Sequence, residues 1–256
     1  MKPRSVIHAP KLSSHGLARI LSKMGSASRT QAAAWIRDAR VRVNGRVITD
    51  PEFTVRQGVD TIDIDGVTIG AAQRLVLMLN KPRGLVTTAS DEKGRDTVYR
   101  CLTGADLPWV APVGRLDKAS EGLLLFSNDP VWAARVTDPL TGPQKTYHVQ
   151  IDRLPEPALV AAIANGATVD GERLEVHAIR TLRAGTRNGW LEVILHEGRN
   201  RHIRRLLGAF DAGVLRLIRV AIGAQPLGEL PKGAWRVLTA SEIAALDNSM
   251  RPPERA

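Results

Sequence analysis

We predict an α+β fold with two domains from three features of the 256-residue sequence. The first 70 residues combine two short amphipathic segments with a hairpin signal. The rest of the chain contains apolar strand segments far apart in sequence, with helical segments at irregular intervals. This order favours a mixed, largely antiparallel sheet over regular βαβ repeats. Hydrophobic residues make up 43% of the chain, enough to bury a sizeable core.

The chain carries a formal net charge of +10, and the excess lies at its two ends. Residues 1–70 and 181–256 each have five more basic than acidic side chains, whereas residues 71–180 are balanced. Two cationic surfaces around a neutral middle suit an extended polyanion, so nucleic acid is the leading partner. The alternative is a surface that merely keeps the protein soluble.

The cysteine count, the spacing of the histidines and the lack of long apolar runs exclude several classes of protein. Cys101 is the one cysteine, which excludes an intramolecular disulfide framework and predicts a reducing compartment. The six histidines have no second thiol at metal-ligand spacing, so we expect no metal site. No apolar run approaches the roughly 20 residues of a membrane span, and the N-terminus lacks the apolar core of a signal peptide. We therefore expect a cytoplasmic protein with no membrane contact.

The small domain is predicted to begin with two helices after a flexible tail over residues 1–16. Apolar residues recur at helical spacing from Leu17 until Gly25 ends the run. Ser28, with Gln31 three residues later, has the capping-box pattern that opens a second helix. The domain is thus expected over residues 17–70.

The second predicted helix carries basic residues, and a hairpin follows it in the chain. At about 100° per residue, three arginines fall within roughly an 80° sector of the second helix: Arg29, Arg37 and Arg40. Asn44-Gly45 separates two alternating segments and supplies the positive φ angles of a two-residue hairpin turn. DTIDID at 60–65 adds a further strand. The pattern predicts a compact helix-helix-hairpin unit with one cationic stripe.

The second domain, predicted over residues 71–246 with a tail over 247–256, contains strands and helices in mixed order. Its strands are expected in RLVLMLNKPRG, LLLF at 123–126, TYHVQI at 146–151, LEVILH at 191–196 and LRLIRVAI at 215–222. Two clear helices are expected, in RHIRRLLGAF from 201 and after a capping box formed by Thr239 and Glu242.

Two polar segments of this domain are candidates for chemistry. A loop bracketed by glycines brings Arg115 and Asp117 to the mouth of a buried strand. An aspartate there is a candidate catalytic carboxylate, although it is also a common turn residue. Tyr147 is one of only two tyrosines, and beside Lys145 it suggests base stacking on RNA. A plain core position is the alternative for Tyr147.

A third segment, HEGRNRHIRRLLGAF, is basic and helical. Its apolar residues share one face, and Arg201 and Arg205 lie opposite, where they can reach phosphates in solvent. Arg204 lies nearest the apolar edge, so we expect it to be partly buried and paired with a carboxylate. Arg199 belongs to the preceding turn, whose backbone N–H groups add phosphate donors. A merely solvated basic helix is the alternative.

Residues 17–66 resemble the S4 RNA-binding domain, through LARILSKMGSASRTQAAAWIRDARVRVNGRVI and DTIDIDG. This resemblance implies RNA binding through the helix at 28–40 and the turn around Asn44. The order of LNKPRGLVTT, GRLDKASEGLLLFSND, QKTYHVQI, EGRNRHIRRLLGAF and LIRVAIGAQPLGELPKGAWRVLTASEI is similar to that of the S4-containing pseudouridine synthases of ribosomal RNA.

The second resemblance implies roles for particular residues. Asp117 resembles the essential aspartate of that family, Tyr147 its active-site tyrosine, and Arg204 the basic residue that pairs with the aspartate. His202 stands where the family frequently has a glutamine, and Arg201 is the substitute candidate for Arg204.

The implied function is site-specific isomerisation of uridine to pseudouridine in ribosomal RNA, with the large-subunit RNA (23S) favoured over the small-subunit RNA (16S). The reaction needs no redox change, and the sequence contains no phosphate-binding or dinucleotide loop, so we expect no cofactor. We expect a monomer whose partner is ribosomal RNA or a ribosome-assembly intermediate. The rival interpretations are a non-catalytic RNA-binding or ribosome-assembly factor on the same fold, and an RNA-directed hydrolase.

Overall fold

The computed structural model of the chain describes residues 14–56, 59–70 and 73–250. These residues divide into two compact units. The first comprises the described residues up to Gln73 together with Leu107–Val110, and the second comprises Arg74–Asp106 and the described residues from Ala111 onward. Leu107–Val110, which the sequence assigned to the larger domain, belongs to the first unit because Trp109 N–H donates to the carbonyl of Gly25 (3.1 Å).

Helices and short antiparallel strands form the described part of the first unit. In chain order they are β1 (Ser14–Gly16), α1 (Leu17–Lys23), α2 (Arg29–Arg37), β2 (Val41–Val43), β3 (Arg46–Val47), β4 (Thr54–Arg56), β5 (Ile62–Ile64) and β6 (Val67–Thr68). One sheet has the order β3-β2-β5-β6, and β1 pairs with β4. The sequence predicted both helices, the hairpin and the closing strand, but it placed β1 in the tail.

The core of this unit lies between the two helices and the strands. Its fully buried side chains include Leu17, Ile20, Leu21, Ile36, Val41 and Val55. In the β2–β3 hairpin, Asn44 and Gly45 have φ angles of 50° and 79°. Both angles are positive, as a two-residue turn between twisted strands requires.

The second helix ends earlier than the sequence predicted. α2 begins at its expected cap, where the Ser28 hydroxyl accepts the N–H of Gln31 (3.1 Å). It ends at Arg37, and Ala39 then adopts a left-handed conformation with φ of 58°. Arg40 therefore lies beyond the helix. The predicted stripe of three arginines on one helical face is wrong for Arg40, because the chain has already turned.

The second unit carries more strands than the sequence indicated. In chain order its elements are β7 (Val76–Lys81), a 3₁₀ helix (Val98–Leu102), β8 (Ala111–Val113), β9 (Glu121–Ser127), α3 (Pro130–Thr137), β10 (Lys145–Ile151), α4 (Pro157–Ala164), β11 (Ala167–Val169), β12 (Glu172–Leu174), β13 (Ala178–Ala184), β14 (Gly189–Leu195), α5 (His202–Gly208), β15 (Val214–Ile222), β16 (Gln225–Pro226), β17 (Trp235–Val237) and α6 (Ala240–Asn248).

One mixed sheet organises this unit. Its order is β13-β14-β10-β15-β9-β7-β17, with β16 paired to β15 and β8 paired to β9. β15 and β9 are parallel, and the other pairs are antiparallel. The predicted α+β class with a mixed, largely antiparallel sheet is confirmed. A separate hairpin joins β11 to β12.

Burial along the strands agrees with their sequence patterns. β7 and β9 are buried along their whole length, as continuous apolar runs require. β10 and β14 alternate between buried and half-buried positions, so one face points inward. α6 has the predicted capping box, formed by Thr239 and Glu242, and continues to Asn248. Among the helices of the described ranges, none has the length and apolarity needed to cross a bilayer.

Candidate active site

Asp117 lies in the loop between β8 and β9, just before a buried strand. The Thr87 hydroxyl donates to the carbonyl of Leu116 (2.8 Å), and the N–H of Ser120 donates to the carbonyl of Asp117 (2.9 Å). Leu116 is buried, whereas Asp117 is half-buried. The backbone of the loop is therefore held in place while the carboxylate of Asp117 stays accessible.

Lys81 holds the same loop from the protein interior. Its side chain is fully buried at the end of β7, and its ammonium donates to the carbonyls of Pro82 (3.2 Å), Asp117 (3.1 Å) and Ser120 (2.9 Å). Burial lowers the pKa of Lys81 to about 8, against the opposing attraction of Asp117. Lys81 is therefore mainly an ammonium at neutral pH, with one carbonyl for each of its donors.

The Ser-Glu-Gly segment after Asp117 connects β9 to β15. Gly122 has φ of 101°, and a Cβ there would overlap the carbonyl oxygen of Arg219 and lie 2.8 Å from its nitrogen. Glycine alone allows this approach.

Glu121 is 3% exposed and pairs with Arg216 and Lys232. Burial raises the pKa of Glu121, but these two hydrogen bonds outweigh it, and the net pKa is lowered.

Tyr147 and Lys145 lie on the inward face of β10, and both are at least 90% buried. Arg219 stands opposite Tyr147, because a bulge shifts the register of β15 at this point. The Lys145 ammonium donates to the carbonyl of His196 (3.1 Å). Arg219 donates through Nε to the carbonyl of Leu123 (2.7 Å), and its Nη2 is buried without a partner among the described residues.

A cavity of about 310 Å³ opens between these groups. The predicted site residues that line it are Asp117, Tyr147, Arg115, Lys145, Arg199 and Arg201. The three arginines are exposed, so they lie at the mouth. Buried Leu195, Leu217 and Ile222 add apolar lining. The volume lies in the range of ligand pockets, roughly 300–1,000 Å³.

Arg204 is partly buried as predicted, but it forms no ion pair with Asp117 within the described residues. Its guanidinium donates to the carbonyls of Val214 (3.1 Å) and Ala119 (3.3 Å), and Nε is buried without a partner there. Burial lowers the pKa of Arg204, and Arg201 adds to this effect. Because Ala119 belongs to the loop of Asp117, Arg204 supports the carboxylate through the backbone instead of pairing with it.

Arg205 also differs from its prediction as a phosphate contact in solvent. Its guanidinium donates to the Glu172 carboxylate (2.6 Å) and to the Val169 carbonyl (3.2 Å). Arg199 donates to the same carboxylate (3.0 Å) and pairs with Glu197 (2.9 Å). Arg205 is therefore occupied in joining α5 to the β11–β12 hairpin, because the fold brings Glu172 against it. Arg199 is paired as well but still reaches the cavity.

Several known proteins similar to this chain are described as RNA pseudouridine synthases. A family model described as RNA pseudouridylate synthase matches residues 75–209, and one for the S4 domain matches residues 16–60. A Rickettsia bellii protein named as an uncharacterized RNA pseudouridine synthase is 38% identical over 87% of this chain and 96% of the relative. The chain belongs to the RNA pseudouridylate synthase family. An Aquifex aeolicus synthase with the same description is 35% identical over 89% of this chain and 92% of its own length.

A solved structure extends the agreement to the fold. The crystal structure of a pseudouridylate synthase matches with a TM-score of 0.63 and 29% identity, covering 90% of this chain and 99% of that one. Membership of the pseudouridine synthases makes this chain an isomerase acting on uridine in RNA. The resemblance inferred from the sequence motifs is confirmed.

In the S4 domain of this pseudouridine synthase, the predicted RNA contacts on α2 are accessible. Arg37 is exposed and has no ion pair among the described residues. Arg29 is exposed as well and contacts Glu52 (3.2 Å). An exposed pair of this kind is worth at most about 1 kcal/mol, so a phosphate can displace it.

The other two predicted RNA contacts of the S4 domain have internal partners. Arg40 donates three hydrogen bonds to Asp65, whose carboxylate raises the pKa of Arg40. The Asn44 amide donates to Asp60 (3.0 Å) and accepts the N–H of Thr61 (2.9 Å). Asn44 therefore stabilises the turn itself, and its side chain is not free in this conformation to bind RNA.

The sequence patterns did not predict two buried cations of this pseudouridine synthase as site residues. Lys81 and Arg219 lie inside the motifs LNKPRG and LIRVAIG, and the signal available for each was a cation within an apolar strand. His202, the departure from the family pattern, is 3% exposed, and its Nε2 contacts the Glu175 carbonyl (2.8 Å). Burial lowers the pKa of His202.

Proposed function

We propose that the protein converts a specific uridine of ribosomal RNA to pseudouridine, with Asp117 as the catalytic carboxylate and Tyr147 stacked on the base. The observation that carries this proposal is the shared cavity, which joins a half-buried aspartate, a buried aromatic ring and exposed arginines. The S4 domain and the basic excess at both ends of the chain support a large structured RNA as substrate. A cytoplasmic reaction on the large-subunit RNA is the version to test first.

Access to the uridine requires that its base leave the RNA stack. Flipping a nucleotide into a pocket costs on the order of a few kcal/mol, which contacts to the extruded base and its phosphates must offset. Arg115, Arg199 and Arg201 at the mouth are suited to the flanking phosphates. The ring of Tyr147 on the inward face is suited to stacking on the uracil.

The isomerisation then proceeds without gain or loss of atoms. The bond between N1 of uracil and C1′ of ribose breaks, and Asp117 either attacks the sugar or the base covalently or removes the proton from C2′. The uracil turns, and C5 bonds to C1′, while Asp117 leaves as a carboxylate from its covalent adduct or returns the proton to C2′. C5 loses its proton, and N1 gains one. Both routes need a carboxylate fixed against the nucleotide, which the anchored loop of Asp117 supplies.

The decisive variant is Asp117→Asn, which keeps the shape of the side chain and removes its basic and nucleophilic oxygen. We expect it to fold and to bind RNA with unchanged affinity, and to form no pseudouridine in large-subunit RNA taken from cells that lack the gene. The matched control is Asp106→Asn, an exposed aspartate outside the cavity lining, which should retain full activity. Turnover by Asp117→Asn would overturn the assignment.

Mass analysis of the treated RNA separates the rival activities. Isomerisation leaves the mass unchanged and creates a nucleoside with a carbon–carbon glycosidic bond, whereas a hydrolase releases uracil and lowers the mass. A pure binding factor leaves every nucleoside intact. Mapping pseudouridines in ribosomal RNA from cells with and without the gene then identifies the uridine and the subunit. Loss of a small-subunit site would redirect the proposal to that RNA.

A further inference from the structure

Two buried cations, Lys145 and Arg219, line the same cavity. Lys145 is 9% exposed and Arg219 is 5% exposed, and both line the cavity that holds Asp117 and Tyr147. Lys145 lies on β10 two residues before Tyr147, and Tyr147 is the register partner of Arg219 on the neighbouring strand β15. Repulsion from Arg219 contributes to lowering the pKa of Lys145. Within the described residues, neither forms an ion pair with a carboxylate. The Asp138 carboxylate attracts Lys145 from beyond ion-pair distance, so these two buried positive charges are only partly compensated.

The pair has fewer acceptors than Lys81, the third buried cation of this unit. Lys81 has one carbonyl acceptor for each of its three donors. Lys145, in contrast, donates to the His196 carbonyl, and Arg219 keeps a buried Nη2 without a partner among the described residues. Burying a charge with unused donors is costly unless a ligand supplies the missing anion. Because Lys145 and Arg219 both line the cavity, an anionic group bound there would meet two buried positive charges.

The chemistry of the proposed reaction creates such an anion. When the N1–C1′ bond breaks, its electron pair stays with the uracil, and the charge spreads over N1, O2 and O4. If Asp117 instead adds to the base, the charge falls on O4. In either case negative charge leaves the carboxylate of Asp117, which becomes an ester or an acid, and appears on the ring. A pair of cations beside the ring would stabilise that negative charge.

We propose that Lys145 and Arg219 form an anion site that stabilises the uracil ring while it carries negative charge. The inference rests on the proposed function, and it assigns Lys145 to the base instead of to the RNA backbone. Burial favours the base over a phosphate, because the phosphates remain with the backbone near the exposed arginines at the mouth. Apolar Leu217 and Ile222 line the same cavity and strengthen the electrostatic effect by excluding water.

At neutral pH both groups carry the charge that this role requires. Burial, followed by repulsion from Arg219, lowers the pKa of Lys145 to about 8 against the attraction of Asp138, so its ammonium form still predominates at pH 7. A guanidinium stays protonated throughout. The site is therefore charged before the RNA binds, which is the condition for stabilising a transition state without reorganisation.

The test compares two RNAs in single-turnover reactions with the full-length protein. Large-subunit RNA is transcribed either with uridine or with 5-fluorouridine, whose electron-withdrawing fluorine stabilises the uracil anion by itself. We expect Lys145→Met and Arg219→Met to lower the rate of cleavage of the N-glycosidic bond on uridine RNA on the order of 100-fold. The loss should be clearly smaller on 5-fluorouridine RNA, and the Kd for RNA should not change.

Controls separate this role from a structural one. Arg187→Met removes an exposed cation from the β13–β14 loop and should leave both rates unchanged. Lys145→Arg restores a cation and should recover part of the rate. Since Lys145→Met replaces a buried charge with an apolar chain of similar length, its melting temperature should be equal or higher. If Arg219→Met does not fold, Lys145→Met carries the test alone.

Several outcomes would overturn the inference. Equal losses on both RNAs with weaker binding would identify a phosphate contact, and a lower melting temperature with equal losses would identify a structural role. A wild-type rate for Lys145→Met, with Asp117→Asn inactive, would refute this inference and leave the proposed function intact. Activity of Asp117→Asn would instead refute the proposed function.

Discussion

Single side chains fix the position of Asp117 without entering the cavity lining. Lys81 and Arg204 donate to carbonyls of the Asp117 loop, the first at Asp117 and Ser120 and the second at Ala119. Both are cations whose hydrogen bonds go to the backbone, so they place the carboxylate without pairing with it. Their loss should affect catalysis through geometry, where a shift of about 1 Å can cost on the order of 100-fold in rate.

Lys81→Met should therefore lower both the stability of the protein and the rate of isomerisation. Removing the ammonium leaves three carbonyls without their donor, and we expect the free energy of unfolding to fall by about 3 kcal/mol. The rate constant of isomerisation should fall at least about tenfold, while RNA affinity stays the same. Urea unfolding and single-turnover assays measure the two effects. Lys118→Met, which removes an exposed charge beside Asp117, is the control and should leave stability unchanged.

Gly122→Ala should be among the most damaging substitutions of a glycine in this chain. A Cβ at this position overlaps backbone atoms of Arg219, and its φ of 101° suits glycine alone. We expect a loss of at least about 3 kcal/mol in unfolding free energy. Gly171→Ala is the control, since it also has a positive φ (77°) but has open space around it. A similar cost at both positions would show that the approach of β15 contributes nothing.

At the scale of elements, helix ends and hairpins are the features that the sequence predicted correctly. α6 begins at a capping box, and Arg236 adds an ion pair to Glu242 from the preceding strand β17. The hydrogen bond from Arg236, and then that from the Thr239 N–H, lower the pKa of Glu242 to about 2. These contacts link one helix end to one strand, and they make the stability of this element depend on pH.

Glu242→Gln should reduce stability in a pH-dependent way. Because the folded-state pKa of Glu242 is below its ordinary 4.5, its contribution is complete above pH 4.5 and is lost as pH falls toward about 2. We expect a deficit of about 1–2 kcal/mol at pH 7 that shrinks across this window. Thermal unfolding between pH 7 and pH 2.5 measures it. Glu229→Gln, at an exposed position, should show no deficit; a Glu242 deficit constant with pH would contradict the argument.

At the scale of the whole molecule, charge and RNA binding are the relevant properties. The positive excess lies in residues 1–70 and in the carboxy-terminal third, and part of it is internal. Arg40, Arg205 and Arg236 pair with carboxylates of the same chain. The arginines that stay exposed are therefore fewer than the composition suggests, and the salt dependence of RNA binding should report how many of them contact phosphates.

Arg37→Ala should weaken RNA binding by removing one phosphate contact of the S4 domain. The logarithm of the affinity should vary less steeply with the logarithm of the salt concentration, by about 0.7–0.9. Filter binding of ribosomal RNA at several salt concentrations measures this slope. Arg187→Ala removes an equal charge from an exposed loop of the second unit and should leave the slope unchanged. An unchanged slope for Arg37→Ala would mean that α2 does not face the RNA.

The sequence by itself determined the fold class, the family and most elements of the core, because these depend on patterns within a few residues. The Ser28 and Thr239 caps, the Asn44-Gly45 turn and the apolar runs of β7 and β9 are such local patterns. The tertiary structure decided how the charged side chains are partnered. Arg204 donates to carbonyls, and Arg205 pairs with Glu172. A partner's identity depends on which distant segments the sheet brings together, and a bulge of one residue places Arg219 opposite Tyr147.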